Sequence, residues 1–131
     1  MNIVNTRFLA TKSPKYLQAV ERGIRLILIA QYPSGGWPQT YPLIGGYHDD
    51  ITLNDNVMIN VLELLFDVAN SPEKFSFLSP EIKVKSIAAY ERSLQCIIDM
   101  QITSNGIKSV WGAQHNPDSL KPSKARAYEP I

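Results

Sequence analysis

The residues best suited to chemistry are a pair of hard oxygen donors, two separated histidines and a late basic cluster. Asp55 and Asn56 stand together in Thr52-Leu-Asn-Asp-Asn56, at the start of an apolar helical period. A carboxylate beside amide oxygens can ligate Ca²⁺, although one Asp supplies little of the roughly six to eight oxygens that ion takes. The Thr52–Asp55 spacing is also that of a capping box, and a carboxylate at a helix N-terminus favours the helix dipole. Capping is therefore the first expectation for Asp55. His48 and His115 lie alone in polar loops without metal-pair spacing, so fixing a loop is the simpler reading of each. Lys121, Lys124 and Arg126 give the last segment a basic face, either a solvated tail or a surface for an anionic substrate.

A second kind of chemistry is offered by the aromatic loop Gln31-Tyr-Pro-Ser-Gly-Gly-Trp-Pro-Gln-Thr-Tyr-Pro42. Three prolines fix φ and remove donors, while Gly35-Gly36 opens conformations closed to other residues. The loop is expected to be shaped but irregular. Trp37, Tyr32 and Tyr41 either pin it to the helices or present an aromatic surface to a polar ligand, and the first is the simpler expectation.

Composition excludes several classes. The chain has 131 residues and a formal charge of +1, so nothing points to a nucleic-acid partner. Its one cysteine, Cys96, lies in an apolar helical run and offers neither a disulfide framework nor a thiolate zinc site. No stretch reaches the ~20 apolar residues of a membrane span. The first ten residues lack the basic start and apolar core of a signal peptide, so no export route is visible and localisation stays open.

These residues must be positioned by helices. Ser13-Pro14 opens one that runs to about Gln31, with Gly23 as its weak point. A second spans about 53–70, with Val57, Met58, Val61, Leu62, Leu65 and Val68 on one face and Thr52 or Asn54 as cap. Ser79-Pro80 opens a third, to about Gln101. Phe75, Phe77 and Leu78 pack the connection between the last two. Residues 1–12 show no periodicity, and 107–131 read as extended or irregular.

An internal repeat links the first and third helices. Ala19-Val-Glu21-Arg22 matches Ala89-Tyr-Glu91-Arg92, Gln31 matches Gln101, Gly36 matches Gly106, and Trp37 matches Trp111. Each unit is a helix ending in Gln, a Gly-containing turn, a Trp and a polar loop. The expected fold is all-α: a partial α/α-toroid, an incomplete ring of helical hairpins with long irregular loops, occupying 1–131 as one domain. An open ring leaves apolar faces uncovered, so self-association is expected as well.

Three stretches, Gln31–Gln39, Ile51–Met58 and Trp111–Glu129, closely resemble three motifs of the family 10 pectate lyases, in the same order. The resemblance implies an α/α-toroid and Ca²⁺-assisted cleavage of polygalacturonate by β-elimination. It places Asp55 at the metal and Asn56, Trp37, His115, Lys121 and Arg126 at the substrate. The motif's usual Gln-His-Asp reads Gln114-His115-Asn116 here, which weakens a metal site because Asn offers only a neutral oxygen. The family's catalytic arginine finds no counterpart, so no catalytic residue is assigned and the chain resembles a truncated central portion of the lyase domain. Activity as an enzyme is therefore left open, and a non-catalytic module binding acidic polysaccharide is the main alternative. A terpene cyclase is a further one, disfavoured by the lack of an Asp-rich diphosphate motif.

Overall fold

The computed structural model describes residues 13–124. Helix α1 spans Pro14–Ala30, α2 Val57–Asn70 and α3 Pro80–Met100. Ser-Pro opens both α1 and α3, with the proline at the first helical position, where its missing N–H costs nothing. The Ser79 hydroxyl accepts the Ile82 N–H at 3.3 Å, whereas the Ser13 side chain makes no cap bond. Among the described residues no helix is long and apolar enough to cross a membrane.

The second helix begins at Val57, later than its apolar period suggests, because the preceding residues are held otherwise. Strand β1, Ile51–Thr52, pairs antiparallel with a later strand, and a 3-10 turn covers Asn54–Asn56. Thr52 is fully buried; its hydroxyl donates to the Asp50 carbonyl and accepts the Gln114 side-chain N–H. It cannot reach the helix, so the capping box does not form. Nor does Asn54 cap: the N-cap is Asn56, without a side-chain bond.

The last described segment also departs from expectation. Strands β2, Ile102–Ser104, and β3, Ile107–Val110, form an antiparallel hairpin closed by Asn105-Gly106. Both turn residues have positive φ, 50° and 79°, the geometry of the two-residue turn that matches strand twist. Strand β4, Gln114–His115, is the partner of β1. So 107–124 holds two short strands. The expectations for 1–12 and 125–131 lie outside the described residues.

Two buried clusters hold the helices together. Val20, Ile24, Val68, Phe75, Leu78 and Ile82 form one at the helix connection. Trp37, Ile51, Met58, Leu65, Ala89, Cys96 and Met100 form the other, beneath the loops. Burying side chains of this size contributes on the order of 1.5–3 kcal/mol each. The aromatic loop is pressed onto this second cluster. A Cβ on Gly35 would lie 2.4 Å from the Arg92 carbonyl oxygen, and one on Gly36 2.6 Å from the Ile51 side chain. Burial pushes the Cys96 thiol up to about 11, which keeps it protonated and inert in this cluster.

The repeat has a physical meaning. The Trp37 indole N–H donates to the Ile27 carbonyl at 2.8 Å, and the Trp111 indole N–H to the Ile97 carbonyl at 2.7 Å. Each acceptor lies four residues before the repeat's Gln, among the last-turn carbonyls that lack a helical partner. Each tryptophan thus closes a helix C-terminus. The Gln31 side chain donates to the Gly35 and Ala89 carbonyls, and its oxygen accepts from Arg92 at 2.6 Å, tying α1 to α3.

Candidate functional site

The three motif stretches, far apart in sequence, are sewn into one ladder of short extended segments. The Trp37 carbonyl accepts the Thr52 N–H at 3.1 Å, and Pro38 faces Ile51. Ile51 and Thr52 pair with His115 and Gln114. His115 faces Pro122, and the Ser123 N–H donates to the Gln114 carbonyl at 3.0 Å. Gln114 locks the middle of the ladder. Only 1% exposed, it donates to the Tyr47 carbonyl at 2.7 Å and to the Thr52 hydroxyl at 2.9 Å. Ser123 adds a bond to the Asp50 carboxylate at 2.8 Å. Sequence reasoning missed Gln114, Thr52 and Ser123 as the lock, because two-residue strands carry no alternating period to read.

Just after β1, beside the residue that precedes β4, stand Asp55 and Asn56, both exposed and both left-handed, with φ of 57° and 58°. Two consecutive non-glycine residues in this region store backbone strain of about 1 kcal/mol each, though short polar side chains tolerate it best. The Ala113 carbonyl holds the turn by accepting the N–H groups of Leu53 (2.9 Å) and Asn54 (3.3 Å). The Asp55 carboxylate meets only the Asn54 amide, at 3.4 Å. It is a hard anionic oxygen donor open to solvent. Among the described residues no three His, Cys, Asp or Glu side chains gather as a metal cluster.

Lys121 is exposed past the other end of β4, where its carbonyl accepts the Asn116 N–H at 2.8 Å, beyond a loop that Asn116 organises. The Asn116 side-chain oxygen accepts the Asp118 and Ser119 N–H groups, each at 2.9 Å, so it serves the loop's own backbone. Arg126 lies outside the described residues.

Two expected substrate contacts are buried. Trp37 is 2% exposed, with its one polar atom satisfied by Ile27, so it presents no aromatic surface. His115 is fully buried and both ring nitrogens are engaged: Nε2 accepts the Gly112 N–H at 3.0 Å and Nδ1 donates to the Leu120 carbonyl at 2.8 Å. Each pins a loop, the simpler of the readings its residue type offers. Near the ladder, Tyr41 is 40% exposed, and the half-buried Tyr47 and His48 rings stack at 3.9 Å. Tyr32 bonds the Asp49 carbonyl; burial, then the Asp49, Asp50 and Asp118 carboxylates, push its hydroxyl above the usual phenol range.

Comparison with known proteins gives this arrangement its class. The structure is similar to the Family 10 polysaccharide lyase from Cellvibrio cellulosa, with a TM-score of 0.90 and 34% identity over 96% of this chain. It matches equally an Asp-to-Ala mutant of that organism's family 10 lyase in complex with trigalacturonic acid. The chain spans 40% of the length of these structures. It has the fold of part of a polysaccharide lyase.

The family model for pectic acid lyase matches residues 1–131, and the chain belongs to that family. No curated protein matches it. The terpene-cyclase alternative falls with this assignment.

Proposed function

We propose that this chain supplies the Ca²⁺-assisted, polygalacturonate-binding part of a pectate lyase site, on helices that form an arc of an α/α-toroid. The single observation that carries this reading is the ladder. It joins the three stretches of family resemblance and leaves Asp55, Asn56 and Lys121 exposed beside it. A structural relative in complex with trigalacturonic acid supports an acidic polysaccharide as ligand.

The donor set fits calcium as a partial shell. Asp55 offers exposed hard oxygens and Asn56 an amide oxygen beside it, so uronate carboxylates and water supply the remainder. In β-elimination the C5 proton leaves to a base, its electron pair becomes the C4–C5 double bond, and the glycosidic oxygen departs from C4. Negative charge builds on the adjacent carboxylate as the proton leaves. Bound calcium would screen that charge. Lys121 and Arg126 are the cations of this chain that meet the same carboxylate, while Asp55 and Asn56 fix the sugar's register.

Proton removal is the step for which we assign no residue. Missing a general base costs on the order of 10²–10⁴ in rate. The 131-residue chain is thus expected to bind polygalacturonate with little turnover. Ultraviolet absorbance of the unsaturated uronide, with Ca²⁺ at alkaline pH, tests this. Turnover at the rate of a full-length family member, abolished by Arg126→Ala, would overturn it and make Arg126 the base.

A further inference from the structure

Among the described residues, four non-glycine residues have positive φ: Asp55, Asn56, Asn105 and Leu120. Asn105 belongs to the β2–β3 turn, which needs that geometry. The other three have no such explanation, and Leu120, a bulky residue at φ 61°, is the least tolerant of it. All three lie in, or within two residues of, one short network of hydrogen bonds, and its centre is His115.

The bonds can be followed in both directions. Gly112 N–H can only donate, so Nε2 of His115 is the acceptor. A neutral imidazole then carries its proton on Nδ1, which donates to the Leu120 carbonyl. On the Gly112 side the next residue is Ala113, whose carbonyl holds the Leu53 and Asn54 N–H groups ahead of Asp55 and Asn56. On the other side Leu120 directly precedes Lys121, and its own N–H donates to the Asn116 carbonyl at 2.9 Å. Space is tight around this joint. A Cβ on Gly112 would lie 3.0 Å from Pro122 Cβ and 3.4 Å from the His115 Nε2.

We infer that His115 is a positioning residue: its Nδ1–H tautomer sets the spacing between the Asp55–Asn56 turn and Lys121 across the ladder. Its two nitrogens act toward opposite ends of β4. The acceptor holds the segment that cradles the oxygen donors, and the donor holds the strained residue that aims the lysine. Groups of this kind tune a binding site without touching its ligand. The effect on binding rests on the function proposed above, but the effect on geometry does not.

The two nitrogens can be separated by substitution. His115→Asn offers an N–H near Nδ1 and nothing to Gly112; His115→Gln offers an oxygen near Nε2 and nothing to Leu120. Amide NMR shifts without ligand, melting temperature and trigalacturonate affinity with and without Ca²⁺ are then measured on the full chain. The Asn variant is expected to shift the Asn54 amide, keep the Lys121 amide and lose the calcium-dependent part of binding by roughly tenfold. The Gln variant is expected to do the reverse and weaken the calcium-independent part. Uniform loss of stability and affinity in both variants would reduce His115 to a packing residue and overturn the inference. If neither variant folds, the ring nitrogens of the native protein decide: an Nε2–H tautomer overturns it and an Nδ1–H tautomer supports it. Absence of any trigalacturonate binding by the native chain would sink the proposed function while the amide shifts still judge His115.

Discussion

At the scale of single residues, type and role part company wherever backbone conformation decides. Asp55 stands at capping-box spacing from Thr52, and a sequence shows only spacing. Ladder pairing withdraws Thr52, and a left-handed turn then presents Asp55 and Asn56 to solvent. Strain held at an exposed polar pair is the mark of a residue kept for what it contacts. Asn56→Gly is accordingly expected to leave stability unchanged or raise it by up to about 1 kcal/mol of relieved strain, while weakening trigalacturonate binding. Asn56→Val, which tolerates positive φ poorly, is expected to cost about 1–2 kcal/mol. Thermal melts check both. A stabilised Asn56→Val would mean that the turn is not left-handed in solution. The same lesson applies to Trp37 and His115, where only burial separates a ligand contact from an internal tie.

At the scale of elements, the helices were legible because three- and four-residue apolar spacing and Ser-Pro starts are local signals. Their observed ends fall within a residue or two of expectation, except at α2. There, pairing between residues 62 or more apart in sequence overrides the local pattern. The repeat places Gly106 in a turn, but the strands that turn joins are too short to show a period. The repeat was legible as pattern and acquires its cause only in three dimensions, where each Trp closes a helix end. The two copies differ in burial: Trp37 is 2% exposed and Trp111 43%. Trp37→Phe should therefore cost about 2–4 kcal/mol, from the lost bond to Ile27 and the cavity left behind. Trp111→Phe should cost under about 1 kcal/mol. Denaturant unfolding distinguishes them, and equal costs would contradict the buried placement of Trp37 against the exposed one of Trp111.

At the scale of the whole molecule, the buried clusters lie beneath the loops and at the helix connection, while much apolar surface faces outward. A groove of about 910 Å³ along α2 and α3 is lined by Ile59, Phe66, Leu94 and Ile97, and Ile29 and Ile98 are also exposed. Surface of this extent favours association. We expect the 131-residue chain to sediment as a concentration-dependent mixture, shifted toward monomer by Phe66→Glu; a concentration-independent monomer would show the exposed groove to be inert. The decisive test is calorimetric titration of trigalacturonate into the monomeric chain, with and without Ca²⁺, for the native sequence and Asp55→Ala. We predict binding that Ca²⁺ tightens by roughly tenfold or more, with that gain lost in Asp55→Ala and the calcium-independent part retained. Binding indifferent to both Ca²⁺ and Asp55, or no binding at all, would contradict it.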